Sequence, residues 1–156
     1  MLSNAQLQKI YLLSDTVLYP EAVSFMRKLV QEQDCYPLPT SQVAGLLSIA
    51  EATRYDELHR FVLHQRDRNW PPSKRDIKTF YTALEDVLSV MQRKRLKDEF
   101  HMMPDIQERS VIEARQELDE LMARLAREFI QHLVAENGVL AALKAEERMK
   151  QRMNRR

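Results

Sequence analysis

Glycine is nearly absent from this chain: two in 156 residues. A β-rich fold draws on glycine-bearing turns, so this scarcity argues against one. It also leaves no glycine-rich phosphate loop and no dinucleotide fingerprint. Cysteine is reduced to Cys35, so no intrachain disulfide is possible. A reducing compartment follows, with the cytoplasm as the default location. A reactive thiol needs a base and an electropositive setting, and Asp34 and Tyr36 supply neither, so Cys35 reads as structural. No apolar run approaches the roughly 18 residues of a membrane span. The N-terminus has no basic segment followed by an apolar one, and does not read as a secretion signal.

Catalytic constellations are missing as well. His59 and His64 would lie about 140° apart on a helix and could not share a metal. Glu128 and His132 can share a face, but two ligands do not make a site. Asp56-Glu57, Glu85-Asp86, Asp119-Glu120 and Glu146-Glu147 are adjacent pairs, and adjacent helical residues do not face each other. No serine sits in a nucleophile elbow. The expectation is a chain that is not an enzyme, with no catalytic residues, no metal, no cofactor and no small-molecule substrate.

What is present is helix. Ser3 and Gln6 have capping-box spacing, predicting a first helix to about Leu13. Residues 14–19 read as a break, and Pro20 suits the first turn of a second helix to about Gln33. Asp34 to Pro39 reads as a linker. A third helix, Gln42 to about Ala52, contains Gly45, which costs about 1 kcal/mol relative to Ala and suggests a close helix crossing. Thr53 with Asp56 suggests the cap of a fourth helix running to about Arg68. Trp70-Pro71-Pro72 ends it. Ser73 is expected to cap a fifth helix, with Asp76 near its start and a stripe from Ile77 to Met91. These elements predict a helical bundle over 1–103.

Pro104 and Asp105 open the last segment, 104–156. Val111, Leu118, Leu121, Leu125, Phe129 and Leu133 recur at steps of three, four and seven, continuing to Leu140 and Leu143. This is an amphipathic helix that must lay one face against something. Asn137-Gly138 is the strongest breaker within it, so the segment is either one long helix or a helical hairpin. Formal net charge is +1 for the chain, but residues 104–143 carry 4 basic and 8 acidic side chains, and residues 144–156 carry 6 and 2. The acidic block could face a basic partner and the basic tail an acidic one.

Two basic clusters interrupt the bundle. Arg66, Arg68, Trp70, Lys74 and Arg75 surround the Pro71-Pro72 turn, and Arg93 and Arg95 lie further on. An aromatic among cations can stack a base while the cations hold phosphates. The alternative is that Trp70 plugs the end of the core. The helices at 41–52 and 54–68 form a weak helix-turn-helix candidate, since Gly45 lies inside a helix rather than in the turn.

At Leu38-Pro39-Thr40-Ser41-Gln42-Val43 the chain resembles a segment of the small helical subunit of type III CRISPR effector complexes. Lys78-Thr79-Phe80-Tyr81 is similar to another short stretch of that family. Ala44 stands where the family often has arginine. The resemblance implies a non-catalytic helical bundle that lines a guide–target duplex through basic side chains.

The sequence therefore predicts an all-α protein: a helical bundle core with an extended C-terminal amphipathic helix or hairpin. Its expected role is a non-catalytic interaction subunit or adaptor. It would bury the 111–143 stripe against a protein partner or a second copy of itself, separably from the bundle. Nucleic-acid binding through the basic clusters is the alternative. No membrane partner is expected.

Overall fold

A computed structural model describes residues 1–52, 54–104 and 110–156. Every regular element among them is helical. They are α1 (Asn4–Leu13), α2 (Tyr19–Arg27), α3 (Thr40–Ala52), α4 (Tyr55–Asp67), α5 (Arg75–Val90), the short α6 (Leu96–Asp98) and α7 (Val111–Asn154).

The capping box expected at Ser3 and Gln6 forms in both directions. The break expected over 14–19 does not. Ser14–Leu18 is a π-helical turn that carries α1 into α2, with the Tyr19 N–H reaching the Ser14 carbonyl. The wider turn sits just before Pro20, which has no N–H to give to a regular ladder. A second π turn, Lys28–Glu32, extends α2. The helical run stops before Asp34, whose φ of 57° is left-handed. The Cys35 N–H then closes on the Leu29 carbonyl at 2.9 Å. His101, with φ 53°, stops α6 in the same way, and Met102 N–H bonds Leu96 O at 2.9 Å. Asp and His tolerate this conformation better than most residues, so two helix ends are made without glycine.

Gly45 does not mark a close crossing. A β-carbon built there, or at Gly138, would meet nothing within 4 Å. Ser73 lies in a 3₁₀ turn, Pro72–Lys74, and does not cap α5. Asp76 instead accepts the Tyr36 N–H at 2.9 Å, fastening the loop before α3 to α5. The expected cap at Thr53 and the expected opening at Asp105 lie outside the described residues. The α4 amides are capped from another helix: Asp119 on α7 accepts from Tyr55 N–H and Asp56 N–H, each at 3.2 Å.

α7 has 44 residues, about 66 Å at 1.5 Å per residue. Ser110 caps it, its Oγ accepting the Glu113 N–H at 3.2 Å. It runs unbroken through Asn137-Gly138, so the hairpin alternative is not what forms. It packs along α2, α3 and α4. One hydrophobic core joins residues from both sequence segments, from Ile10 and Leu46 through Leu84 to Leu125, Phe129 and Leu140. Among the described residues no helix is long and apolar enough to cross a membrane.

Candidate interaction surface

The stripe read from the sequence as a docking face is the centre of the protein's own core. Leu121 and Leu125 are fully buried, and Phe129 and Leu133 are each 1% exposed. Phe25 packs edge-on against Phe129 at 6.0 Å between ring centroids. Leu118 is partly buried against the same core, and Val111 and Leu143, at the two ends of the stripe, are exposed. The buried members of the stripe already have their apolar partner in α2, α3 and α4.

The acidic block is largely committed too. Glu117 accepts from Gln6 at 3.0 Å, Glu128 from Ser14 at 2.9 Å and Glu136 from Arg27 at 3.2 Å. With Asp119 capping α4, four carboxylates of α7 hold the other helices rather than face a foreign cation.

Past Leu140 the helix changes character. The direction that carries Leu133 and Leu140 into the core is taken over by Lys144 and Arg148. Both cations lie over the exposed Tyr36 ring, at 4.9 and 5.5 Å from its centroid. Most of the exposed apolar side chains lie elsewhere, beside the Glu146–Lys150 ion pair, with Leu143 at the edge about 80° from Leu133. At 100° per residue, Val139, Met149 and Met153 fall about 120–160° round the helix from Leu133. Val139 is 51%, Leu143 47%, Met149 65% and Met153 74% exposed. The single stripe of the sequence thus divides into a buried stripe and an exposed apolar set of different phase, interleaved with charge. The second lies on a helical arm that leaves the body and carries the basic tail. Its phase shift at Val139 is present in the sequence. It is hidden there because Leu140 and Leu143 continue the three–four spacing across it.

The basic clusters are partly dismantled. Trp70 is half-buried against the core, and its Nε1–H donates to the Gln65 carbonyl at 2.6 Å. Arg68 lies over its ring at 4.7 Å. Arg66 pairs with Asp67 at 2.8 Å, which raises the guanidinium and lowers the carboxyl. Arg95 is bidentate to both Glu21 and Glu99 and lies over Phe100. Lys74, Arg75 and Arg93 remain exposed without an ion pair among the described residues. The Tyr81 hydroxyl donates to Gln42 at 3.1 Å, joining α5 to α3.

Two polar clusters join distant residues. Ser14 Oγ lies 2.9 Å from Glu128 Oε2 and 2.8 Å from His132 Nε2. A serine is activated when the imidazole stands between hydroxyl and carboxylate. Here the hydroxyl stands between the other two, and Ser14 is buried. His59 Nε2 lies 2.7 Å from Glu85, which also accepts from Ser89 at 2.6 Å. Tyr55 stacks on His59, and burial raises its phenol. Both clusters clamp helix to helix. Among the described residues no three His, Cys, Asp or Glu side chains are grouped to hold a metal ion.

No protein-family model matches the chain, and neither a curated protein nor a solved structure matches it.

Proposed function

We propose that this chain is a non-catalytic helical interaction protein, a subunit or adaptor that docks through the projecting end of α7. The observation that carries this reading is the change of face at Val139. Val139, Leu143, Met149 and Met153 are all exposed on this end, on the same side as the Glu146–Lys150 ion pair. Exposed apolar side chains interleaved with charge on a helix are what a partner's groove with polar edges can take. Residues 144–156 carry 6 basic and 2 acidic side chains, so the complementary groove is apolar with an acidic rim. A second copy of the arm would set like charge against like charge and is the poorer occupant.

The test is a photo-crosslinking residue placed at Leu143 or Met149 in cells, with Gln8 as the control position. Adducts to one and the same protein from both arm positions, absent from Gln8, are expected. Adducts only between copies of this chain, or the same adducts from Gln8, overturn the reading.

Nucleic-acid binding, as in a ribonucleoprotein subunit, is a second reading supported by the free cations Lys74, Arg75 and Arg93. It requires binding that weakens steeply with salt, and absence of binding at low salt removes it.

A further inference from the structure

A cavity of about 310 Å³ opens between the start of α1, the end of α3 and α7. That volume falls at the lower end of small-ligand sites, roughly 300–1,000 Å³. Its apolar lining comes from Leu2, Leu7, Ala50 and Ala123, and its cationic lining from Arg124 and Arg127. The two arginines are three residues apart on α7, so they stand on neighbouring turns of one face. Both are half-buried, and neither makes a hydrogen bond or ion pair among the described residues. A guanidinium withdrawn from water without a partner is unfavourable, and its planar fork is shaped for two oxygens of one anion.

The carboxylates beside the cavity do not answer that charge. Asp119 accepts the Tyr55 and Asp56 N–H groups, each at 3.2 Å. Glu120 lies 3.3 Å from the Met1 amine. Glu51 is exposed at the rim, where water and salt screen it. Arg54, also at the rim, is 73% exposed in its side chain and lies 3.5 Å from Asp56. Of the charged groups that line the cavity, Arg124 and Arg127 are therefore the half-buried pair left open.

We infer that this cavity binds a small organic anion, its oxyanion head held by Arg124 and Arg127 and its apolar body laid on Leu7, Ala50 and Ala123. A phosphate ester and a carboxylic acid share that chemistry, and either head can bridge two guanidiniums. The site is independent of the α7 arm.

The experiment is a ¹H–¹⁵N NMR titration of the full chain with phenyl phosphate and, separately, phenylacetate. Inorganic phosphate and benzyl alcohol are the controls for head and body. Saturable shifts at the amides of Leu7, Ala50 and Ala123 are expected from at least one anion, and the tighter of the two identifies the head. Inorganic phosphate and benzyl alcohol are each expected to bind at least tenfold more weakly. Arg124→Gln with Arg127→Gln should weaken binding at least tenfold. If that variant loses its helical circular dichroism, Ala123→Glu replaces it and should abolish the shifts. Absence of saturable shifts at these amides overturns the proposal. So does equal binding of benzyl alcohol or inorganic phosphate, or unchanged binding in the folded variant.

Discussion

Asn137 on α7 and Leu38 in the loop before α3 are joined by two hydrogen bonds. The Leu38 N–H donates to Asn137 Oδ1 at 2.8 Å, and Asn137 Nδ2 donates to the Leu38 carbonyl at 3.2 Å. The side-chain amide thus serves a buried backbone unit as another backbone would. It pins the loop from Gln33 to Pro39 onto the long helix, and it explains why an Asn-Gly pair lies within a helix instead of in a turn.

Asn137→Ala should lower stability by about 2 kcal/mol, because both Leu38 groups lose their partner while buried. Gly138→Ala, one residue on, should raise stability by about 1 kcal/mol, since the added methyl meets open space. Urea midpoints of the two variants separate these effects. A stability gain in Asn137→Ala would contradict the pairing.

Leu125→Ala and Phe129→Ala should each destabilise the whole chain by about 3 kcal/mol. A chain ending at Met103 should lack a cooperative thermal transition, because α2, α3 and α4 would lose the helix they pack on. Circular dichroism melting checks both. A cooperative melt of the shortened chain would show that α7 is dispensable to the core.

Arg95 couples α2 to the end of the α5–α6 helix, and its pH signature has a definite sign. Hydrogen bonding to Arg95 holds the Glu99 carboxyl below the ordinary glutamate range. A depressed folded value means the stabilisation is complete above the unfolded glutamate pKa of about 4.3. It is lost as pH falls through the folded value. Arg95→Met should therefore lower the melting temperature at pH 7, with the difference from the parent shrinking below pH 4. A difference that persists at pH 2.5 would assign the effect to packing on Phe100 instead.

Cys35 should react slowly with iodoacetamide at neutral pH. The residue is 7% exposed, and burial together with Asp76 pushes its thiol pKa up. Thiolate is the reactive form, so modification should accelerate on unfolding in urea. A fast reaction in the native protein would contradict this environment.

Amide exchange should divide α7 near Leu140. Residues 121–140 pack on three helices, whereas the arm beyond is exposed and held mainly where Lys144 and Arg148 meet Tyr36. Exchange at 146–154 should be faster than at 121–140 by orders of magnitude, read by hydrogen–deuterium mass spectrometry. Equal protection would place the arm on the body.

Periodicity carried much of the fold. The Ser3 capping box, the buried set of α5 and the apolar run of α7 are local patterns, because each depends only on residues within a few turns. Turn chemistry misled where distant groups intervened. Pro20 lies within a helix that absorbs it through a π turn, Asn137-Gly138 is held helical by Leu38, and α4 is capped by Asp119 from 64 residues away. The arginine-lined cavity left no local signal, since Leu7, Ala50 and Arg124 are brought together only by packing.

By itself, then, the sequence determined that this protein is helical, where most helices lie, and that its last fifty residues form an amphipathic helix. Those properties follow from glycine scarcity and from the spacing of side chains along one strand of chain. Only the tertiary structure decided which apolar face is spent and which is free. An isolated helix shows a stripe without showing what covers it. Here α2, α3 and α4 cover Leu121 to Leu140 and leave Val139, Leu143, Met149 and Met153 to the solvent.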